Sequence, residues 1–495
     1  MSQYCASNLT SGFIDLATYD ELEKYMYGGQ DATSYFVRQT RRATWFTQVP
    51  VCLSRASGTP DFGNDWSVTI SRAGDYLLYT WLRVTLPGLV ALQPTSCNTS
   101  STTETQGGLT YYLYQKYISW TPNLMHNLIR ECCITFNDLV AARFDNFHLD
   151  FWSAFTTPAG KQVGYNNMIG NTPELIDPSK SLPIKTLNLP LPFFYSRDSG
   201  VALPTAALPY NDMRIFFSFR NLTDLLNVWE VYTTDCTNPT QLYIKPARPV
   251  VVSSDLSTSS VTISNNVQVW ANYAIVSNDE RKRMACAPRD ILIEQVQTAP
   301  QQTFSPTGSN NFDIRFSHAI KVLFFAAQNI TVSSYWSNYT TREPQVLQNA
   351  GSSTSLVLDS YFPGNDPIAD TSLIYENTQR LANMGSDYYS YVEPYYAAPV
   401  IPIVTGYHMY SYSLDFICLD PLGSTNYGKL TNVSIIPVPS GDAKCVSSTY
   451  GTSTTVGYCQ DLDWFPRAQT FRFITTAVNN NIIRISGGAL GFPVL

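Results

Sequence analysis

The feature that most constrains this chain is an alternation of apolar and polar residues with a period of two. It is plainest from His408 to Ile417, where His408, Tyr410, Tyr412, Leu414 and Phe416 alternate with Met409, Ser411, Ser413 and Asp415. Successive side chains of a strand point to opposite faces, so this spacing predicts one buried face and one wetter face. The pattern returns in Val267, Val269, Ala271, Tyr273 and Ile275, and in Met213, Ile215, Phe217 and Phe219. These are strands of β-sandwiches rather than helices. The segment Tyr76 to Leu86 is apolar on both faces, with Leu77, Tyr79 and Trp81 opposing Leu78, Leu82 and Val84. It predicts an inner strand covered on both sides, the second cover coming from a domain or subunit contact. Prolines fall at strand ends, as in LPLPFF from Leu189 to Phe194, where they can begin or edge a strand but not sit centrally.

Composition agrees with an all-β chain. Charged residues make up 14% of it, against roughly 25% in an average soluble protein. Tyr, Phe, Asn, Thr, Ser and Pro are abundant, which sets β-formers between turn-formers. The 495 residues exceed the roughly 250–300 at which one core stops growing, so two large domains are expected. A net charge of −7 with scattered basic residues gives a nucleic-acid backbone no stripe to follow, which argues against direct genome binding. The densest basic run, Arg281, Lys282 and Arg283, follows Asn278, Asp279 and Glu280 and predicts a short solvated helix with acids at its N-terminus. The richest apolar stretch, Ala319 to Ala327, is strand-sized and too short to cross a membrane as a helix. The N-terminal MSQYCASNLTSGF carries neither a basic region nor a long apolar one, so synthesis and assembly in the cytosol are expected.

Residues 1–30 are expected to form an arm with one short helix. Thr18 can cap it, Glu21 completes a capping box, and Gly28 and Gly29 stop it. Tyr19, Leu22 and Met26 form its apolar stripe. So short a helix is marginal alone, so it orders either against its own domain or against a partner. Longer polar insertions interrupt the strands at Thr95–Gly108, Thr157–Leu187, Val231–Ser260, Ser333–Ser372 and Pro437–Asp463. The stretch Asn221 to Ser264 is the best boundary, which divides the rest into a first sandwich at 31–235 and a second at 236–495. No literal repeat relates them, so any likeness between the two is one of fold.

Signals for chemistry are sparse. The four histidines, His126, His148, His318 and His408, lack a second His at metal-ligand spacing or a nearby Gly-x-Ser-x-Gly elbow. The pairs Asp461 with Asp463 and Glu376 with Glu393 are the candidates for two-carboxylate chemistry. GYNNMIGN (Gly164–Asn171) and GSTNYG (Gly423–Gly428) match no phosphate-binding fingerprint and suit tight turns. The ten cysteines form no CxxC pair, which leaves a structural zinc without its ligand spacing. Cys132 and Cys133 must face opposite sides of a strand, with Cys132 on the apolar side beside Ile134 and Phe136. Cys97, Cys236, Cys445 and Cys459 lie in polar stretches, where oxidation outside a reducing cell can link neighbouring molecules. Asn-x-Ser/Thr sequons begin at Asn8, Asn98, Asn221, Asn329, Asn338 and Asn432 and are chance matches in an Asn- and Thr-rich chain that shows no signal peptide.

Longer motifs carry a resemblance. SGFIDLATYDELEKYMYGG from Ser11 to Gly29 resembles the N-terminal motif of the major capsid proteins of iridoviruses and related large DNA viruses. The resemblance continues through GYNNMIGNT, LPLPFFYSRDSGVALPTAALPYNDMRI (Leu189–Ile215), RFSHAIK (Arg315–Lys321) and YENTQRLANMG (Tyr375–Gly385). It runs on through YYSYVEPYY, GSTNYGKLTN and the terminal NNIIRISGGALGFPVL, and fails at Thr95–Thr110, Val231–Ser260 and Gly441–Asp463. Gly428 departs from relatives that carry Ser there.

The resemblance implies two tandem eight-stranded antiparallel jelly rolls, with three chains forming a pseudohexagonal capsomer that tiles an icosahedral shell. It implies no cofactor. It places the arm at the capsomer base, where Tyr19, Leu22 and Met26 would meet minor capsid proteins or an inner membrane. Two other readings compete with a shell subunit. A glycan-binding β-sandwich would account for exposed aromatics but leave most of the length unexplained. An enzyme would require titratable groups converging in a pocket.

Overall fold

The computed structural model describes residues 9–97, 103–106, 109–237, 242–245, 247–286, 288–341, 346–348, 356–358, 364–444 and 469–492. Residues 1–45 form one unit and residues 46–495 a second. Within the first, helices span Leu9–Ala17 and Glu21–Met26. The capping box is present but sits two residues later than the sequence suggests. Asp20 accepts from the Glu21 amide at 2.7 Å, and the Glu23 carboxylate accepts from the Asp20 amide at 3.3 Å. Thr18 cannot serve as cap because its hydroxyl donates back to the Asp15 carbonyl, closing the preceding helix.

The second unit is built from sixteen principal strands. Eight lie within residues 46–276: β1 (Phe46–Cys52), β2 (Asp65–Thr69), β3 (Tyr76–Leu86), β4 (Ile129–Phe136), β5 (Leu139–Asp145), β6 (Lys185–Pro190), β7 (Met213–Phe219) and β8 (Val267–Val276). Eight more follow: β9 (Arg289–Thr298), β10 (Phe312–Asp313), β11 (Ala319–Asn329), β12 (Ile368–Tyr375), β13 (Thr378–Gly385), β14 (His408–Ser411), β15 (Val433–Pro439) and β16 (Phe471–Ser486). The first set pairs as β1-β8-β3-β6 and β2-β7-β4-β5, and the second as β9-β16-β11-β14 and β10-β15-β12-β13. Counting strands within each set gives 1-8-3-6 and 2-7-4-5 both times, the interleaved order of a jelly roll. The chain is all-β with two tandem eight-stranded antiparallel jelly rolls.

Local sequence explains the sheets. In β7, Met213, Ile215, Phe217 and Phe219 are buried and the residues between them half-exposed, as period two requires. Phe217 stacks on Trp66 of β2 with ring centres 4.7 Å apart. The hairpins β4–β5 and β12–β13 turn through Asn137-Asp138 and Glu376-Asn377, all four with positive φ. Two left-handed residues match the twist of flanking strands, so both rolls make the same turn from different residues. Pro190 ends β6, an edge strand, as its missing N–H demands.

Three expectations change. Asn221–Ser264 is not a linker: it connects β7 to β8, and β8 lies between β1 and β3 of the first roll, well past residue 235. The connection between rolls is the helix Asn278–Cys286, the acid-led basic helix expected there, with Arg281 paired to Asp75 at 2.8 Å. Second, Leu77, Tyr79 and Trp81 do not share a face. A bulge at Leu78 sets Tyr79 opposite Asn272 and Leu77 opposite Tyr273, leaving Leu77 buried and Tyr79 47% exposed. Strands buried on both sides are instead β11 and Leu226–Thr233. Third, the alternating segment from His408 is a strand only to Ser411. Beyond it the Ser411, Ser413 and Asp415 side chains bond to backbone two residues on and take the chain into turns.

Candidate assembly surfaces

In a jelly roll the odd-numbered connections all lie at one end. Here that end carries the long insertions of both rolls: β3–β4, β5–β6 and β7–β8 in the first, β11–β12, β13–β14 and β15–β16 in the second. In the first roll two of them build a sheet of their own. Leu109–Trp120, from the β3–β4 insertion, pairs antiparallel with Leu226–Thr233 from the β7–β8 insertion, and Tyr117, Trp229 and Val231 are buried there. A charge cluster closes its base. The fully buried Asp255 accepts from Arg248 at 2.7 and 2.9 Å, from Lys116 at 2.7 Å and from the Val251 amide at 2.9 Å. Burial alone would raise this carboxyl, but the bonds from Arg248, Lys116 and Val251 outweigh it and hold the pKa down to about 2. Arg248 also grips Glu230 at 2.6 Å.

The same two insertions are joined covalently. Cys97 and Cys236 form a disulfide with Cα atoms 5.7 Å apart. The sequence offered both as links between molecules; the fold brings them within bonding reach in one chain, so they staple the two insertions to each other. Cys445 and Cys459 lie outside the described residues. Cys132 is buried in the first core beside Ile134 and Phe136, as its place on the strand predicts.

The two rolls are locked together. The helix Asn146–Thr156, from the first roll, lays Phe147, Phe151 and Phe155 on Val322 and Phe324 of β11 and Ile474 of β16. Phe151 and Phe155 stack on Phe324 at 5.7 and 5.4 Å, which supplies the second cover of β11. Asp150, fully buried on that helix, accepts from His126 Nδ1 at 2.7 Å, Asn123 at 3.2 Å, Ser337 at 2.7 Å and Tyr339 at 2.9 Å. Ser337 and Tyr339 belong to the second roll's β11–β12 insertion, so one carboxylate ties both halves. His126 Nε2 meets the Tyr165 hydroxyl at 2.7 Å. Nearby, Glu294 takes the fully buried Lys321 at 2.6 Å and Arg197 at 3.3 Å, while Arg197 lies 4.4 Å over the Trp152 ring. At the far end of β16, Ile483 and Ile485 enter the first roll's core.

One sheet face of the first roll keeps apolar surface in contact with solvent. Cross-strand register sets Cys52, Trp270, Trp81 and Pro190 in one row across β1-β8-β3-β6, with Tyr79 on the same face. Trp81 and Trp270 stack at 6.1 Å, and Tyr79 lies 6.0 Å from Trp81.

Known proteins share both the sequence and this architecture. The family described as "Large eukaryotic DNA virus major capsid protein" matches residues 280–491, and "Major capsid protein N-terminus" matches residues 34–276. The major capsid protein of Invertebrate iridescent virus 6 is 56% identical over 99% of this chain and 99% of its own length. That of Lymphocystis disease virus 1 is 47% identical over the whole of both chains. The chain belongs to the major capsid proteins of large eukaryotic DNA viruses. Solved capsids of this class have its fold at far lower identity. The PBCV-1 capsid subunit superposes with a TM-score of 0.67 at 20% identity, covering 93% of this chain and all of that one. The Faustovirus major capsid protein gives 0.63 at 12%, over 94% and 96% of the two chains.

Several of the residues that suggested chemistry are engaged within the fold. His408 Nε2 meets Asp366 at 2.7 Å, and His148 is buried, its pKa lowered to about 3 by burial and then by the Arg197 charge. Glu376 accepts from the Thr431 hydroxyl at 2.7 Å and the Asn432 amide at 3.2 Å, bracing its own left-handed turn. Glu393 accepts from Tyr388 at 2.8 Å and the Ser411 amide at 3.1 Å. Asp461 and Asp463 lie outside the described residues. Among the described residues no three His, Cys, Asp or Glu side chains group to hold a metal, and no helix is long and apolar enough to cross a membrane. On the arm, Tyr19, Leu22 and Met26 are all exposed, Leu22 at 62% and Met26 at 55%.

Proposed function

We propose that three copies of this chain form a pseudohexagonal capsomer and that these capsomers tile the icosahedral shell of a large DNA virus. The reading is carried by one observation: the same strand order occurs twice within a single interlocked body, so three chains supply six similar units. The division that suits this function is an arm at 1–45, a first roll at 46–276 and a second from 280 onward, the two family matches meeting at the connecting helix. The partly exposed row of Trp81, Trp270 and Tyr79 suits a contact between copies, since large apolar side chains on a sheet face gain most when covered. The exposed stripe of Tyr19, Leu22 and Met26 suits minor capsid proteins or an inner membrane at the capsomer base. The protein acts by assembly in the host cytoplasm, without catalysis, cofactor or direct contact with nucleic acid.

The test is the solution mass of the purified protein by light scattering after size exclusion. Three times the 55.3 kDa of one chain is expected. A folded species of one chain's mass at micromolar concentration would overturn the trimer.

A further inference from the structure

Where the rolls meet, β5 is the last strand of its sheet and β9 the first of its own. The side chain of Gln295 bridges them, its amide nitrogen donating to the Ala141 carbonyl at 2.7 Å. Beside this bridge opens a cleft of about 370 Å³ walled by Val140–Arg143, Gln295–Thr298 and the turn Arg315–His318. That volume lies within the range of about 300–1,000 Å³ typical of small-molecule sites. Its lining includes Arg143, Arg315 and His318, with neutral donors from Gln295, whose amide spends one hydrogen on Ala141, and from the Ser317 hydroxyl. Among the described residues, none of those lining the cleft carries a carboxylate. Arg143 stands 3.6 Å from Glu131, an exposed pair of little strength.

The turn is held in place before any ligand arrives. Gln297 clasps Ser317 twice, accepting from its amide at 2.8 Å and donating to its carbonyl at 2.9 Å. His318 is left-handed, with φ +62°, and its carbonyl accepts from the Tyr427 amide at 3.3 Å. Such a backbone persists in a residue with a side chain only where its surroundings impose it, and it is frequent at ligand clamps. The turn belongs to the RFSHAIK motif. Within it Lys321 is taken up by Glu294, while Arg315 is exposed at the cleft.

We propose that this cleft binds a compact, soluble polyanion bearing two or three phosphate groups. Arg143 and Arg315 each present a planar fork able to grip one oxyanion with two bonds, and the second Gln295 amide hydrogen and the Ser317 hydroxyl supply the remaining donors. A single carboxylate would fill little of the space and satisfy one fork. Bound between β5 and β9, such a ligand would brace the two rolls from outside their shared core.

The test is calorimetric titration of the full-length assembled protein with tripolyphosphate, and with citrate as a carboxylate of similar charge. Saturable binding of one tripolyphosphate per chain is expected, at least tenfold tighter than citrate. Arg143→Gln with Arg315→Gln should weaken it tenfold or more, whereas Lys161→Gln, on a remote exposed helix, should leave it unchanged. Arg315→Gln alone, at an exposed side chain, provides the reading should the double variant fold poorly, and must weaken binding at least threefold. Absent or non-saturable binding, equal affinity for citrate, or equal loss in Lys161→Gln would overturn the proposal.

Discussion

Asp255 and His148 are buried titratable residues that make the fold sensitive to acid in two successive, partly overlapping windows. His148 is neutral in the fold, its pKa lowered to about 3, against about 6.5 when unfolded. The unfolded chain therefore binds the extra proton first. The stability from this site is full above about pH 6.5 and is lost as pH falls towards 3. His148→Phe, beside Phe144 and Trp152, should flatten the slope of melting temperature against pH across that window, as calorimetry would show. Asp255 is the depressed carboxylate, its contribution full above about pH 4 and lost only as pH falls towards 2. Asp255→Asn leaves Lys116 without a counter-charge and Arg248 with Glu230 alone, and should destabilise the insertion sheet by about 3–5 kcal/mol. Near-UV circular dichroism of its buried Trp229 would report it; an unchanged signal and melt would contradict the assigned role. Neither role is visible in sequence. Asp255 sits in a polar stretch and His148 beside ordinary aromatics, and only folding brings Arg248, Lys116 and Arg197 to them.

At the scale of elements, two devices hold long insertions and neighbouring rolls in place. The Cys97–Cys236 bond spans 139 residues of chain, and loops of that length gain about 3–5 kcal/mol from closure. Cys97→Ser with Cys236→Ser should lower the melting temperature and hasten proteolysis within the β3–β4 and β7–β8 insertions, while leaving capsomer mass unchanged. Multimers on non-reducing gels that vanish in this variant would instead restore a link between molecules. The helix Asn146–Thr156 is the second device. Phe151→Ala should cost about 3–5 kcal/mol, and because the residue is shared by both rolls, a single cooperative transition should broaden or split in two. The sequence marked the cysteine-bearing stretches as polar insertions, and it marked β11 as the richest apolar run. It could not pair one insertion with another or say which strand a helix from the other roll would cover.

For the whole molecule, the question is how copies meet. Trp81→Ser with Trp270→Ser removes the aromatic row from a solvent-facing sheet side without touching the core. If that face joins copies, light scattering should show the mass falling from three chains to one with the melt little changed. If trimers persist, the row faces outward in the shell. Leu22→Ser with Met26→Ser should leave trimers intact and reduce shell formation, scored by counting closed particles in micrographs. Closed shells in wild-type numbers would remove the arm from assembly.

Alternation of apolar and polar residues determined by itself that the chain is all-β and sandwich-like, because side-chain direction on a strand follows from backbone geometry alone. It placed β7 and β8, while charge order placed the short basic helix, polar composition marked the insertions, and the long N-terminal and C-terminal motifs pointed to the capsid family. Only tertiary structure decided the rest. A bulge at Leu78 turned Tyr79 outward, which a strict period of two cannot express. The polar stretch after Asn221 looked like a domain boundary because it is long and loop-like, yet β8 returns across it to lie between β1 and β3. Strand order depends on contacts between residues far apart in the chain, and so do the Cys97–Cys236 bond and the Asp150 junction. Local pattern fixes which face a side chain takes; which distant strand or helix meets that face is settled only when the whole core is buried at once.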